Sequence, residues 1–385
     1  MDKQYMIELI ESHASNPIYG FNCDVLDYTF TIEDCNAENA KKIEKLFYDY
    51  IHPSLRTNIG KFHYYIKNIE SIPLVEKFYE LKSSLGDNTR IQTFKDDTYH
   101  EAYFLFDRDI NIFFPEECND YFILSHKDRY YFVCKKNMNT YLLRILREIY
   151  FRNSENLGSV AYHGGGFDIN ENGVMVCGGK AKGKTTLILE QLKKGSNYLA
   201  NDRVIISCEP NGKYMINYLP LSMRIGIGTI NRTPCLSEII DSYQWSRPQE
   251  NKVLNYSYGY DQCVDEFGNA AKLEITPKEI KSIFNVSLIE AAPLNAIVFP
   301  DIDPNFEGME TLPCEPVKAA KIILEQCMTP VDENWITPWL FQRNKTNEEL
   351  RIYAEEFTKN LVHDVKVYTI HFGLDAYHNW DMKLF

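Results

Sequence analysis

Eight consecutive residues concentrate the reactive chemistry of this chain: Gly178-Gly179-Lys180-Ala181-Lys182-Gly183-Lys184-Thr185. Their spacing satisfies G-x-x-x-x-G-K-[ST] in full. Glycines at the first and sixth places admit backbone turns that a Cβ blocks, and they gather N–H groups into an anion cradle. A helix beginning at Lys184 would aim the positive end of its dipole at the same point. Lys184 would then reach the outer phosphates of a bound nucleotide. The Thr185 hydroxyl, followed by Thr186, offers oxygen to a hard cation such as Mg²⁺. The motif requires a strand before it and a helix after it. Both are present: "GVMVC" is a short apolar run, and "KTTLILEQLKKG" has helical spacing and a glycine stop at Gly195. A glycine turn with a helix-capping lysine would explain the turn but not the whole motif in this setting. Lys180 and Lys182 read either as added positive field or as exposed loop lysines. Cys177 reads as a small strand residue.

The elements around this loop define two parts. From near residue 157, "SVAYHGGGFDI" and "GVMVC" read as strands joined by a turn at Asn170–Gly173. "YLANDRVIISCE" and "KYMINYLPL" are strands joined by a Pro-Asn-Gly-Lys turn. The stretch 230–265, polar and aromatic, reads as loop or insertion. "TPKEIKSIF" is a capped helix, "LNAIVFPDI" a buried strand, 315–327 and 346–361 helices, and "KVYTIHFGL" the strand expected to close the sheet. Before residue 135 the pattern differs. A helix over 36–51 with Asn36 or Asn39 as cap, a strand over 61–69 and a helix over 74–86 precede five aromatic and β-branched runs. An amphipathic helix over 137–158 leads into the core. The expected organisation is an N-terminal α+β module over 1–135 and a phosphate-loop domain over 136–385. Strands outnumber alternating βα units, so the class is mixed α/β rather than a plain doubly wound sheet.

Composition narrows the partners. The formal net charge of −13 opposes binding to nucleic-acid phosphates or anionic membranes, and no basic run overrides it. Ten cysteines include no C-x-x-C pair, which argues against a zinc knuckle or dithiol redox motif. The first residues are charged and lack a signal-peptide core, and no apolar run is long enough to span a bilayer; the expected location is cytoplasmic. The 26 tyrosines and 22 phenylalanines fall mostly at strand and helix spacing and read as core. Trp335 and Trp339 read either as core or as the lining of a groove.

The next acid carries more information than the loop. Asn201-Asp202 follows after one helix and the Lys194-Gly195 turn, in "Leu199-Ala200-Asn201-Asp202-Arg203-Val204", and His163-Gly164 stands upstream. This order resembles the kinase domain of HPr kinase/phosphorylase and its relatives with the phosphoenolpyruvate carboxykinase-like fold. The resemblance covers 155–230 and extends weakly to the C-terminus; residues 1–135 lie outside it. It implies ATP and Mg²⁺ as cofactors, with Lys184 on the phosphates and Thr185 and Asp202 on the metal. Relatives of this kind phosphorylate a serine in a protein, in a peptide natural product or as the free amino acid. HPr kinases assemble into oligomers, which makes a homo-oligomer an expectation here.

Two positions depart from the family. Asn201 stands where the family has the first acid of its pair, a candidate base for the acceptor hydroxyl. An amide orients a hydroxyl but takes no proton at neutral pH. Met223 stands where a glutamate is expected before Arg224, in a stretch that places Arg224 near the site. Three readings of Asn201 stay open: a base is dispensable for phosphoryl transfer, Asp202 supplies the carboxylate, or transfer is lost and binding alone remains. His163 either approaches the phosphates or is a strand-end histidine. Arg203 pairs with the acid, with phosphate, or with neither. Lys272 is a weaker candidate for a second phosphate clamp. The leading expectation is an ATP/Mg²⁺-dependent kinase acting on a hydroxyl of a peptide, small protein or small molecule, with the N-terminal module recognising the acceptor. The alternatives are a nucleotide-binding regulatory or scaffold protein with a degenerate site, and a hydrolase with no acceptor.

Overall fold

The structure is a computed structural model that describes residues 2–13, 18–51, 60–93, 97–230, 233–239, 242–249, 253, 271–303, 305–332, 337–373 and 384. Most of the loop expected over 230–265 lies outside the described residues, as does Trp335. The chain divides into two compact units, Met1–Asn156 with Pro330–Lys345 and Leu157–Thr329 with Thr346–Phe385. The division differs from a cut at residue 135 in two respects. The helix after the cut belongs to the first unit, and so does a segment that returns to it late in the chain.

The first unit contains α1 (Lys3–His13), β1 (Tyr19–Val25), β2 (Tyr28–Asp34), α2 (Ala37–Tyr48), β3 (Phe62–Glu70), α3 (Ile72–Leu81), β4 (Thr89–Gln92), β5 (Tyr99–Leu105), β6 (Ile110–Pro115), β7 (Tyr121–His126), β8 (Arg129–Cys134) and α4 (Thr140–Asn156). The eight strands form one sheet, ordered β1-β2-β3-β8-β7-β6-β5-β4. β3 runs parallel to both β2 and β8, and the other pairs are antiparallel. Asn36 caps α2 by accepting from the Glu38 and Asn39 amides. α3 stops at Leu81 and passes through a 3-10 turn, Lys82–Ser84, before Gly86. Met6, Ile10, Leu74, Val75 and Phe78 from α1 and α3 pack on Phe114, Phe122 and Val133 of the sheet.

The returning segment is held by charge. Arg152 is fully buried between Glu148, 3.3 Å away, and Glu155, 3.0 Å away, on its own helix. Arg343 adds a second guanidinium, its Nε 2.7 Å from Glu155. The Trp339 amide donates to Glu148, and its indole stacks on His100 with centroids 5.2 Å apart. Buried guanidiniums persist only where carboxylates pair with them, so α4 packs as one body with Trp339 and Arg343. Trp339 is therefore core and not the lining of a groove.

The second unit contains β9 (Val160–Ile169), β10 (Asn172–Cys177), α5 (Lys184–Lys193), β11 (Asn197–Ala200), β12 (Arg203–Cys208), β13 (Tyr214–Tyr218), β14 (Met223–Gly226), the single turns α6 (Ile227–Ile230) and α7 (Pro234–Ser237), β15 (Lys272–Ile275), α8 (Pro277–Phe284), β16 (Ala291–Ile302), β17 (Met309–Pro313), α9 (Pro316–Leu324), α10 (Asn347–Asp364) and β18 (Lys366–Phe372). The main sheet runs β10-β9-β12-β13-β16-β18-β17, and β10 also pairs with β16. β16 lies parallel to β10 on one side and to β18 on the other, while the remaining pairs are antiparallel. β18 was expected to close the sheet, but β17 pairs along its outer side and forms that edge. Thr276 and Thr346 open α8 and α10 with capping boxes. Large sheets of mixed direction with helices make the chain mixed α/β.

Candidate active site

Three parallel strands, β10, β16 and β18, send their C-terminal ends to one edge of the sheet. Residues 178–183 leave β10 there and feed α5. Ligands of open parallel sheets gather at such edges. The loop needs glycine where the sequence has it. Gly178 takes φ +144° and Gly183 φ +94°. A Cβ on Gly183 would stand 2.9 Å from the Phe372 ring, because β18 ends directly beneath the loop. Ala181 also adopts a left-handed φ, of 63°, without being glycine.

Gly183 caps α5 with no side chain, so the first helical turn faces the loop without a side-chain cap. Lys184 arches back over the loop and donates to the carbonyls of Gly178, at 2.6 Å, and Gly179, at 3.0 Å. Burial holds its ammonium below the ordinary lysine range, and the nearby Asp202 carboxylate opposes that shift. A cation so placed gains from any anion that enters the loop.

Asn201 and Asp202 interrupt what the sequence presents as one strand. β11 stops at Ala200, β12 starts at Arg203, and Asp202 takes φ 77° between them. The break turns the two side chains apart. Asn201 is buried, its amide oxygen 3.5 Å from the Thr185 hydroxyl. Asp202 is half exposed and accepts from Arg203 at 2.7 Å; His163 Nε2 lies 3.7 Å from its other oxygen. Arg203 and His163 face each other in the β12–β9 register. The glycines after His163 let α5 and the end of β11 lie close against β9. A Cβ on Gly165 would stand 2.4 Å from Ile188 of α5 and 2.8 Å from the Ala200 carbonyl.

The loop opens on a 390 Å³ cleft lined by Ala181 through Thr186 on one side and by Arg224, Lys272 and Thr229 on the other. Lys272 sits opposite Gly226 in the β14–β15 ribbon, two residues from Arg224's partner Glu274. Thr186 and Thr229 tie the two walls with hydroxyls 3.2 Å apart. Met223 is buried in the core beneath the ribbon, while Arg224 is exposed in the cleft. Cys177 is fully buried, which pushes its thiol up to about 12 and makes it a poor nucleophile. Gly179 and Lys180 sit on the exposed part of the loop.

Lys182 pairs with Asp301 near the end of β16, at 2.8 Å. His371 of β18 approaches the same carboxylate at 3.3 Å. Asp301, His371 and Thr229 were not among the residues singled out by sequence. Asp301 was findable as an acid closing an apolar strand; nothing in the sequence marks Thr229. Among the described residues, no cluster of three or more His, Cys, Asp or Glu side chains is arranged to hold a metal ion. The oxygen donors present, a threonine hydroxyl, an amide and one carboxylate, suit a Mg²⁺ ion that takes its remaining ligands from phosphates and water.

No protein-family model matches the sequence, and no curated protein matches it. Among solved structures, the chain is similar to the HPr(Ser) kinase/phosphatase from Coxiella burnetii at 11% identity and a TM-score of 0.22, over 57% of this chain and 82% of that one. A superposition that low carries no argument about activity, so the functional reading stands on the loop and the cleft.

Proposed function

We propose that the second unit is an ATP/Mg²⁺-dependent kinase of the HPr kinase-like, phosphoenolpyruvate carboxykinase-like P-loop type, transferring a phosphoryl group to a hydroxyl of a peptide, small protein or small molecule. The observation that carries this reading is Lys184. Its half-buried ammonium spans a glycine loop at a helix N-terminus and is satisfied by two loop carbonyls. A nucleotide's outer phosphates would replace those carbonyls as its partners, with charge-assisted bonds that are roughly twice as strong as neutral ones. Thr185 would hold Mg²⁺ together with phosphate oxygens and water, and the ion's chemistry is to neutralise charge on the transferring group. The expected pairing of Asp202 with Thr185 on the metal gives way to Asn201, because Asp202 turns toward Arg203 and His163.

Phosphoryl transfer depends mainly on positioning and charge stabilisation. In this reading Asn201 orients the acceptor hydroxyl. Asp202, with His163 beside it, receives the proton. Arg224 and Lys272, on the far wall, stabilise charge spread over the transferring oxygens. The first unit recognises the acceptor.

A second reading is favoured by a specific observation: Thr185 meets an amide at Asn201 where a carboxylate would bind metal more tightly. On that reading the unit binds nucleotide as a regulatory or scaffold element and transfers nothing. Calorimetry with ATP and ADP, with and without Mg²⁺, tests the shared premise. We expect Mg²⁺-dependent binding that Lys184→Ala weakens by about 2–3 kcal/mol, the scale of charge-assisted bonds. Absence of binding by the folded wild type would remove both readings.

A further inference from the structure

Lys182 lines the cleft from the fifth place of the loop, and its ammonium rests on Asp301, 2.8 Å away. Asp301 sits near the end of β16, the strand that runs parallel beside β10. Its neighbour Ile302 abuts the loop: a Cβ on Gly183 would stand 3.4 Å from the Cβ of Ile302. The carboxylate is fixed through its other oxygen. His371 faces Asp301 in the β16–β18 register, with Nδ1 3.3 Å from Oδ2. The Phe306 ring packs edge-on against that imidazole, centroids 4.3 Å apart.

The backbone sets the direction of Lys182. Ala181 before it takes a left-handed φ of 63°, a conformation unfavourable to any residue with a Cβ. Strain of this kind collects at ligand clamps. The Lys182–Asp301 pair is about half exposed on both sides, so it is weak and easily exchanged. Lys184 differs. It is half-buried and held by two loop carbonyls, which commits it to the phosphates that the loop encloses. A γ-phosphate, beyond those groups, carries about two negative charges and three acceptor oxygens. It outcompetes one carboxylate for a flexible ammonium. We propose that Lys182 is a γ-phosphate clamp, resting on Asp301 in the empty loop and moving to the γ-phosphate of a bound triphosphate. A diphosphate leaves Lys182 on Asp301, so the exchange makes the site prefer triphosphate. The clamp presupposes the nucleotide site proposed above and gives it this specificity.

Calorimetry with Mg²⁺-ATP and Mg²⁺-ADP on the full-length protein separates the clamp from the site that carries it. Lys182→Gln should weaken ATP binding about tenfold, the scale of one charge-assisted bond, and leave ADP within about twofold. Lys182→Arg keeps the charge and should restore the preference. Asp301→Asn removes the competing carboxylate and should move ATP in the opposite direction, tightening it about threefold. Circular dichroism should show every variant folded. Equal weakening of ATP and ADP by Lys182→Gln, or no weakening of either, would overturn the clamp. Weaker ATP binding by Asp301→Asn would make the carboxylate an orienting or metal-holding group and would overturn it too. In these cases Lys184→Ala still weakens both nucleotides, and the site itself stands. A folded wild type that binds neither nucleotide would remove the site and the clamp together.

Discussion

The Thr185 hydroxyl lies 3.5 Å from the amide oxygen of Asn201, whereas the neighbouring Asp202 is directed to Arg203 and His163. The pair Asn201-Asp202 is therefore divided between two tasks by the left-handed backbone at Asp202. One residue supports the threonine of the loop, and the other presents a carboxylate to solvent.

That division sets a test between the two functional readings. Asn201→Asp places a carboxylate against Thr185. We expect Mg²⁺-dependent ATP affinity to rise about tenfold, or about 1.4 kcal/mol. If the wild type already transfers phosphate, its rate should change little. A silent wild type that becomes active only with this substitution would establish the regulatory reading, and phosphate release with or without acceptor would be the assay.

Asp202→Asn separates chemistry from binding. Asparagine tolerates the left-handed region, so the break between β11 and β12 should persist. The carboxylate, however, is gone. We expect transfer to fall at least about a hundredfold, within the range for loss of a positioned proton acceptor. Metal-free nucleotide binding should stay within a few-fold. Equal loss of both would show that Asp202 acts through the fold rather than through the reaction.

Gly165→Ala should damage the platform itself. Its Cβ would enter the space of Ile188 and the Ala200 carbonyl, forcing α5 away from β9. Overpacking of this kind costs about 1–3 kcal/mol, visible as a lowered melting temperature. Gly179→Ala is the control, because nothing lies within 4 Å of the added methyl. It should leave stability unchanged.

Asp301 makes a pH prediction. The Lys182 hydrogen bond and charge, aided by His371, hold its carboxyl below the usual range against an opposing desolvation. A depressed folded-state value means the contribution is complete above the unfolded carboxylate value and is lost as pH falls through the folded one. Wild type should melt higher than Asp301→Asn at neutral pH, and the gap should close in acid below about pH 4. Both partners are about half exposed, so the gap should be small and should shrink in salt. A gap that persists at low pH would exclude the carboxylate as its source.

The sequence determined the local events. The glycine pattern of 178–185 dictated the strand, loop and helix, because only glycine accepts φ +94° beneath the Phe372 ring. Asn36, Thr276 and Thr346 marked helix starts through short-range hydrogen bonds that side-chain type alone decides. Apolar periodicity located most strands. Long-range pairing was not encoded in any window. It took the tertiary structure to bring Arg224, Lys272 and Thr229 across from Lys184, to set Asp301 of β16 against Lys182, and to break one apparent strand at Asn201-Asp202. The domain boundary was decided in the same way. Arg343 lies 188 residues beyond Glu155, yet a buried guanidinium has to find a carboxylate wherever the fold supplies one.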